Sequence, residues 1–186
     1  MVGSFVEHFS NAARNVGADV QVLSDLEEFV SYIDDRVDGS LLLSPCPSLV
    51  RSGVHAKLKA AGLEVVETDF RSRGASAAAG LTGANFGIAA TGTVILESTD
   101  EAVRIATTLP EKHFVLLDPR KILATADEAV PLLGDFHKQM PQAYLAYISG
   151  PSRTADIERV LTIGVHGPAE LHILLLEGLS EDLMER

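Results

Sequence analysis

Apolar residues recur along this chain at two spacings. Phe5, Phe9, Ala12 and Val16 fall three or four positions apart, as do Leu26, Phe29, Val30 and Ile33. That period of about 3.6 places each set on one face of a helix. A third stripe, Val50, Val54, Leu58 and Ala61, begins near Ser48 and ends at Gly62; Val130, Leu133 and Phe136 fit a short fourth helix. Ser4 with Glu7, Ser24 with Glu27 and Thr125 with Glu128 have the spacing of capping boxes, in which the hydroxyl and the acid each satisfy a free backbone N–H. Between the stripes lie short apolar runs at 20–23, 41–43, 63–66, 92–96, 114–117, 143–149 and 171–176. Many are apolar at successive positions, the mark of strands buried on both faces. Helices alternate with strands in the first half. The pattern predicts a three-layer α/β/α sandwich with a mostly parallel sheet, partly mixed from residue 92 to 149, and a single domain over 1–186.

Composition narrows the partners. A formal net charge of −11 repels phosphate backbones and anionic lipid, so nucleic acid is not an expected partner. A small anionic metabolite would need a local positive site. The first residues lack the basic segment and apolar run of a signal peptide. Apolar stretches such as 173–176 are far too short for a membrane span. The expected location is cytoplasmic. The one cysteine, Cys46, fits a reducing compartment and reads as a small loop residue. One thiolate cannot by itself hold an iron–sulfur cluster, which takes four ligands. The histidines, His8, His55, His113, His137, His166 and His172, include no pair at HExxH spacing, so no metal site is expected.

Four stretches are richer in small and polar residues than a scaffold needs: 80–87, 88–93, 150–158 and 164–168. None has P-loop or dinucleotide-fold spacing. Gly150-Pro151-Ser152-Arg153-Thr154 follows an expected strand and reads as the start of a short helix. Free N–H groups there, the Ser152 and Thr154 hydroxyls and the Arg153 guanidinium suit a carboxylate or phosphate. An ordinary capped helix, with Arg153 paired to Asp156 or Glu158, fits equally well. His166, between Gly164 and Gly167, is placed either as an acid–base group or as a turn residue. Thr91-Gly92-Thr93 offers anion donors or a glycine kink entering a strand.

Together these stretches resemble one family. The run 150–158 followed by Gly164-Val165-His166-Gly167-Pro168 is similar to the C-terminal signature of LUD-domain proteins, lactate utilisation protein C among them. Thr82-Gly83 with Ala89-Ala90-Thr91-Gly92-Thr93 resembles the family's central motif. The resemblance implies a fold like that of ribose-5-phosphate isomerases and CoA transferases. It also implies a part in oxidising L-lactate to pyruvate beside companion proteins that carry iron–sulfur centres. The cofactor of this chain is left unknown. The residues marked for ligand binding are Thr91, Gly92, Thr93, Ser152, Arg153, Thr154, Gly164 and Gly167; those marked for catalysis are His166, Arg153 and Asp156. Two positions depart from the family: Ala90 stands where a glutamate is common, and Asn85 where an aspartate is. A stand-alone isomerase or CoA-transferase-like enzyme, and a non-catalytic assembly or sensing module, are the alternative readings.

Overall fold

The computed structural model describes residues 2–155 and 159–185. In chain order the elements are α1 (Val2–Asn15), β1 (Asp19–Leu23), α2 (Leu26–Asp34), β2 (Ser40–Leu43), α3 (Pro47–Arg51), α4 (Val54–Ala60), β3 (Glu64–Val66) and α5 (Phe70–Arg73). There follow β4 (Ala79–Gly83), β5 (Phe86–Ile88), β6 (Thr93–Glu97), α6 (Glu101–Thr108), β7 (Lys112–Leu117), β8 (Ile122–Leu123) and α7 (Ala126–Gln139). The chain ends with β9 (Leu145–Ile148), β10 (Arg153–Thr154), β11 (Thr162–Ile163) and β12 (Glu170–Leu176).

Six strands form an all-parallel sheet in the order β1-β12-β7-β4-β2-β3. Both faces are covered, which is why these strands read as continuous apolar runs. On one face Leu41, Leu43, Leu81, Phe114 and Leu174 pack against Phe29, Ile33, Leu49 and Leu58 of α2, α3 and α4. On the other, Val115, Leu117, Ile173 and Leu175 meet Phe9 and Ala13 of α1, together with Val94 and Leu96 of a second sheet. That second sheet, β8-β5-β6-β9, is mixed: β5–β6 and β6–β9 run antiparallel, β5–β8 parallel. Its outer face, Phe86, Ile88 and Ile95, is closed by Ala129 and Phe136 of α7, with Leu183 and Met184 packed alongside. The α/β class and the mostly parallel sheet stand as expected; the mixed strands form their own sheet instead of continuing the first.

Several local expectations shift. The stripe beginning near Ser48 is two helices, because Gly53 at φ +73° turns the chain between α3 and α4. Val50 faces solvent as a result. Ser4 lies inside α1, which starts before it. The cap of α2 is Asp25, one residue beyond Ser24, and its carboxylate accepts from the Glu27 and Glu28 N–H groups at 2.9 Å. Thr125 is the N-cap of α7 without a side-chain bond, and α7 runs the full 14 residues despite Pro131. The helix expected through Thr154 is absent: Arg153 and Thr154 form β10 and pair antiparallel with Ile163 and Thr162 of β11. The glycine-rich stretch at 80–87 contributes β4 and β5. Gly80 is there because a Cβ would sit 2.0 Å from the Ala106 carbonyl oxygen, so α6 presses directly onto the sheet.

Candidate functional site

A parallel sheet has two unlike edges. Of the residues marked from sequence, Thr91, Gly92, Thr93, Ser152, His166 and Gly167 collect at the amino edge, beside the C-terminal half of α1. Gly92, at φ +62°, lets the 91–93 turn abut α1: a Cβ would lie 2.2 Å from the Ala13 nitrogen. Gly150, at φ +77°, does the same against the Val16 carbonyl oxygen at 2.1 Å. Only glycine tolerates both the left-handed backbone and the close approach. The Thr91 and Thr93 hydroxyls are 2.7 Å apart, and Thr93 is 2.7 Å from the Ser149 hydroxyl. The three groups therefore satisfy one another. Ser152 N–H donates to the Pro168 carbonyl, and Gly164 N–H to the Ser152 carbonyl, which folds the 164–168 turn onto the 149–152 segment.

A cleft of about 260 Å³ opens there, lined by Ser149, Ser152, His113, His166 and Gly167 among others. Arg153 does not line it. The guanidinium lies over Gly17 and Gly150, where Cβ atoms would come within 2.8 and 3.0 Å of Nη2. That is the C-terminal end of α1, where the helix dipole favours a cation. Thr154 sits in the β10–β11 ribbon, away from any helix N-terminus. Asp156 lies outside the described residues. Thr91, Thr93, Ser149, Ser152, His166 and Gly167 are thus brought into one neighbourhood, with Arg153 behind it. His113 at its floor is fully buried, with Nε2 2.9 Å from the Thr82 hydroxyl. Burial pushes its pKa down to about 3, with His172 adding to the effect.

The carboxyl edge carries a larger cleft of about 420 Å³; of the stretches marked from sequence it takes only part of 80–87, Gly83 to Asn85. In α/β sheets this is the edge where ligands collect. Ser44, Cys46, Arg51, Gly83, Asn85 and Glu97 line it, and Glu185 reaches into it. Lys121 stands beside it in the turn after β7. Its side chain is 2% exposed and its Nζ lies 3.2 Å from Glu185 Oε2. Arg51 Nη2 lies 2.6 Å from Oε1 of the same carboxylate. Asn85 ties the cleft together: its Oδ1 accepts from Glu97 N–H at 2.7 Å, and its Nδ2 donates to the Glu185 carbonyl at 2.7 Å. The segment after β12 is anchored by Asp118, whose Oδ2 accepts from the N–H groups of Gly178, Leu179 and Ser180 at 2.9–3.2 Å. Burial works to raise the Asp118 carboxyl, but Arg120 and the Ser180 N–H outweigh it and hold it below the usual aspartate range. A signal was present in the sequence: Asp118-Pro119-Arg120-Lys121 directly follows an apolar strand, at the carboxyl edge of any parallel sheet.

Among the described residues no group of three or more His, Cys, Asp or Glu is placed to hold a metal ion. Among the same residues no helix is long and apolar enough to cross a membrane.

These features define an α/β protein with a fully parallel core sheet and a cleft at each edge. The chain belongs to the LUD domain family, whose model matches residues 6–176. It is similar to lactate utilization protein B of Bacillus pumilus, at 26% identity over 192 residues, covering 94% of this chain and 38% of that protein. It is also similar to lactate utilization protein C of Deinococcus radiodurans, at 30% identity over 132 residues, covering 69% of this chain and 61% of that one. The chain thus spans less than two thirds of the length of either. A crystal structure of a DUF162 family protein from Deinococcus radiodurans shares the fold, with a TM-score of 0.68 at 21% identity over 95% of this chain and 98% of that one.

Proposed function

We propose that this chain is a LUD-domain component of a system that oxidises L-lactate to pyruvate, and that it binds the small carboxylate instead of carrying the electrons. One observation carries the reading: the family match runs across residues 6–176, so the whole scaffold is of the kind that lactate utilization proteins B and C contain. Residues 1–186 then act as one LUD domain. Oxidation of lactate removes two electrons and two protons from the carbinol group. The single thiolate of Cys46 falls short of the four ligands a cluster takes, and in this reading iron–sulfur companion proteins receive the electrons.

The gathering of Ser149, Ser152, His166 and Gly167 around one cleft supports binding of a small anion at the amino edge. Hydroxyl donors orient the ligand there, and the exposed His166 imidazole serves as the acid–base group. Arg153 contributes charge at a distance. The reading is tested by lactate-dependent dye reduction in the system purified from its native host. His166→Ala is expected to lower turnover, and Arg153→Ala to weaken lactate binding. A direct arginine–carboxylate contact is worth about 10–150-fold in affinity, and the indirect placement of Arg153 puts the loss at the low end, about tenfold. Unchanged turnover and affinity in both variants would remove the roles given to this edge.

A further inference from the structure

The geometry points to a second ligand site: the Arg51–Lys121 pair at the carboxyl edge is a receptor for a small carboxylate, and the Glu185 side chain occupies it as an internal stand-in. The argument starts from Lys121. A lysine 2% exposed is rare, because removing an ammonium from water is costly unless a counter-charge meets it. Here the counter-charge does not come from the surrounding scaffold. Asp118, three residues before it, is engaged by Arg120 and three backbone N–H groups. Among the described residues, the carboxylate that meets Lys121 belongs to Glu185, from the segment that crosses the edge after β12.

The rest of the site is built around that carboxylate. Arg51 meets the other oxygen from α3, so the two oxygens are each held by a different cation. Gly83 is bare because a Cβ would come 2.4 Å from Cys46 Sγ, which leaves β4 and the 44–48 turn closely apposed along one wall. Glu97, with its Oε1 accepting from Thr99 N–H, adds an acceptor on the cleft lining that a ligand hydroxyl could meet. Arg51 and the Glu97 acceptor line one cleft of about 420 Å³, and Lys121 stands behind the Glu185 carboxylate, an arrangement that suits a short hydroxy acid or keto acid in place of that carboxylate. Residues 178–185 have anchors besides Glu185: backbone bonds to Asp118 and Asn85, packing of Leu179, Leu183 and Met184, and the Arg120–Glu181 pair, so the Glu185 side chain can withdraw while they persist.

An occupied site binds an outside ligand with an affinity reduced by the fraction of molecules in which the occupant has left. Calorimetric titration with sodium acetate and sodium L-lactate, against sodium chloride at equal ionic strength, reads this directly. Wild type is expected to bind weakly and saturably, and Glu185→Ala at least about tenfold more tightly. Arg51→Ala, at a side chain 58% exposed, is expected to weaken binding about tenfold in either background without threatening the fold. If Glu185→Ala does not fold, Glu185→Gln keeps the shape and removes the charge, and is expected to shift affinity the same way. In wild type, carboxylate should leave hydrogen exchange of residues 178–180 unchanged, because their bonds to Asp118 persist. Saturable binding by Glu185→Ala with none by wild type would reduce the site to an engineered cavity and overturn the inference. So would equal affinities in the two. The inference rests on the lactate reading only in the choice of probe: acetate binding without L-lactate binding would support the site and count against lactate as its ligand.

Discussion

Two histidines sit within the parallel sheet, and burial disfavours a second proton on each. His172 on β12 stacks on Phe114 at 4.6 Å, with Tyr32 Oη 3.0 Å from Nδ1 and Glu170 2.9 Å from Nε2. That network places the proton on Nε2, donating to Glu170, and leaves Nδ1 to accept from Tyr32. Burial lowers its pKa, against the pull of Glu170. Burial likewise takes His113 from 6.5 down to about 3. Below 6.5 the unfolded chain binds protons that the native state refuses. The His113 contribution is therefore complete above 6.5 and is lost as pH falls toward about 3, and His172 acts in the same direction. Thermal denaturation is expected to show a falling midpoint between about pH 7 and about pH 5, above the carboxylate range, and a shallower slope for His113→Leu. A flat wild-type profile there would contradict the assignment. Asn85 is set by the bonds it makes at the carboxyl edge. It accepts one bond and donates two, to the Glu185 and Leu183 carbonyls, which an ionised aspartate cannot do. Asn85→Asp should cost about 1–3 kcal/mol in urea unfolding and loosen residues 178–185.

At the scale of elements, glycine decides how closely segments approach. The 91–93 turn and the 149–152 segment both rest on the backbone of α1, at Ala13 and Val16. Gly92→Ala would force a methyl against the Ala13 amide while straining the backbone, and a loss of about 3 kcal/mol or more is expected from chemical denaturation. A loss under about 1 kcal/mol would mean that α1 shifts freely and that the amino-edge cleft is not rigid. Element boundaries show why local signals were read one step off. Ser24 has the spacing of a cap for α2, yet Asp25 caps it while Ser24 bonds to Glu28, so a similar mutual satisfaction occurs with the cap moved by one. Arg153 and Thr154 looked like a helix start. They became a ribbon because β11 lies opposite them and pairs their backbone, and no local propensity reports a partner eight or more residues away.

At the scale of the molecule, the alternation of helical and strand periods already implied a parallel sheet covered on both faces, and the run of apolar residues in 114–117 and 171–176 identified its centre. The absence of a cysteine quartet, the acidic charge and the family were equally legible from residues alone. Strand order was not, and with it went the edge on which each loop falls. Hydrophobic periodicity records whether a position is buried, not what buries it. Lys121 and Glu185 are 64 positions apart and Arg51 and Glu185 are 134, so their meeting depends on β12 lying beside β7 and on the 178–185 segment crossing the carboxyl edge. The local elements and their two-faced burial were determined by the sequence of short-range preferences. The two clefts were decided only when long-range strand pairing set charged loops from distant parts of the chain against one another.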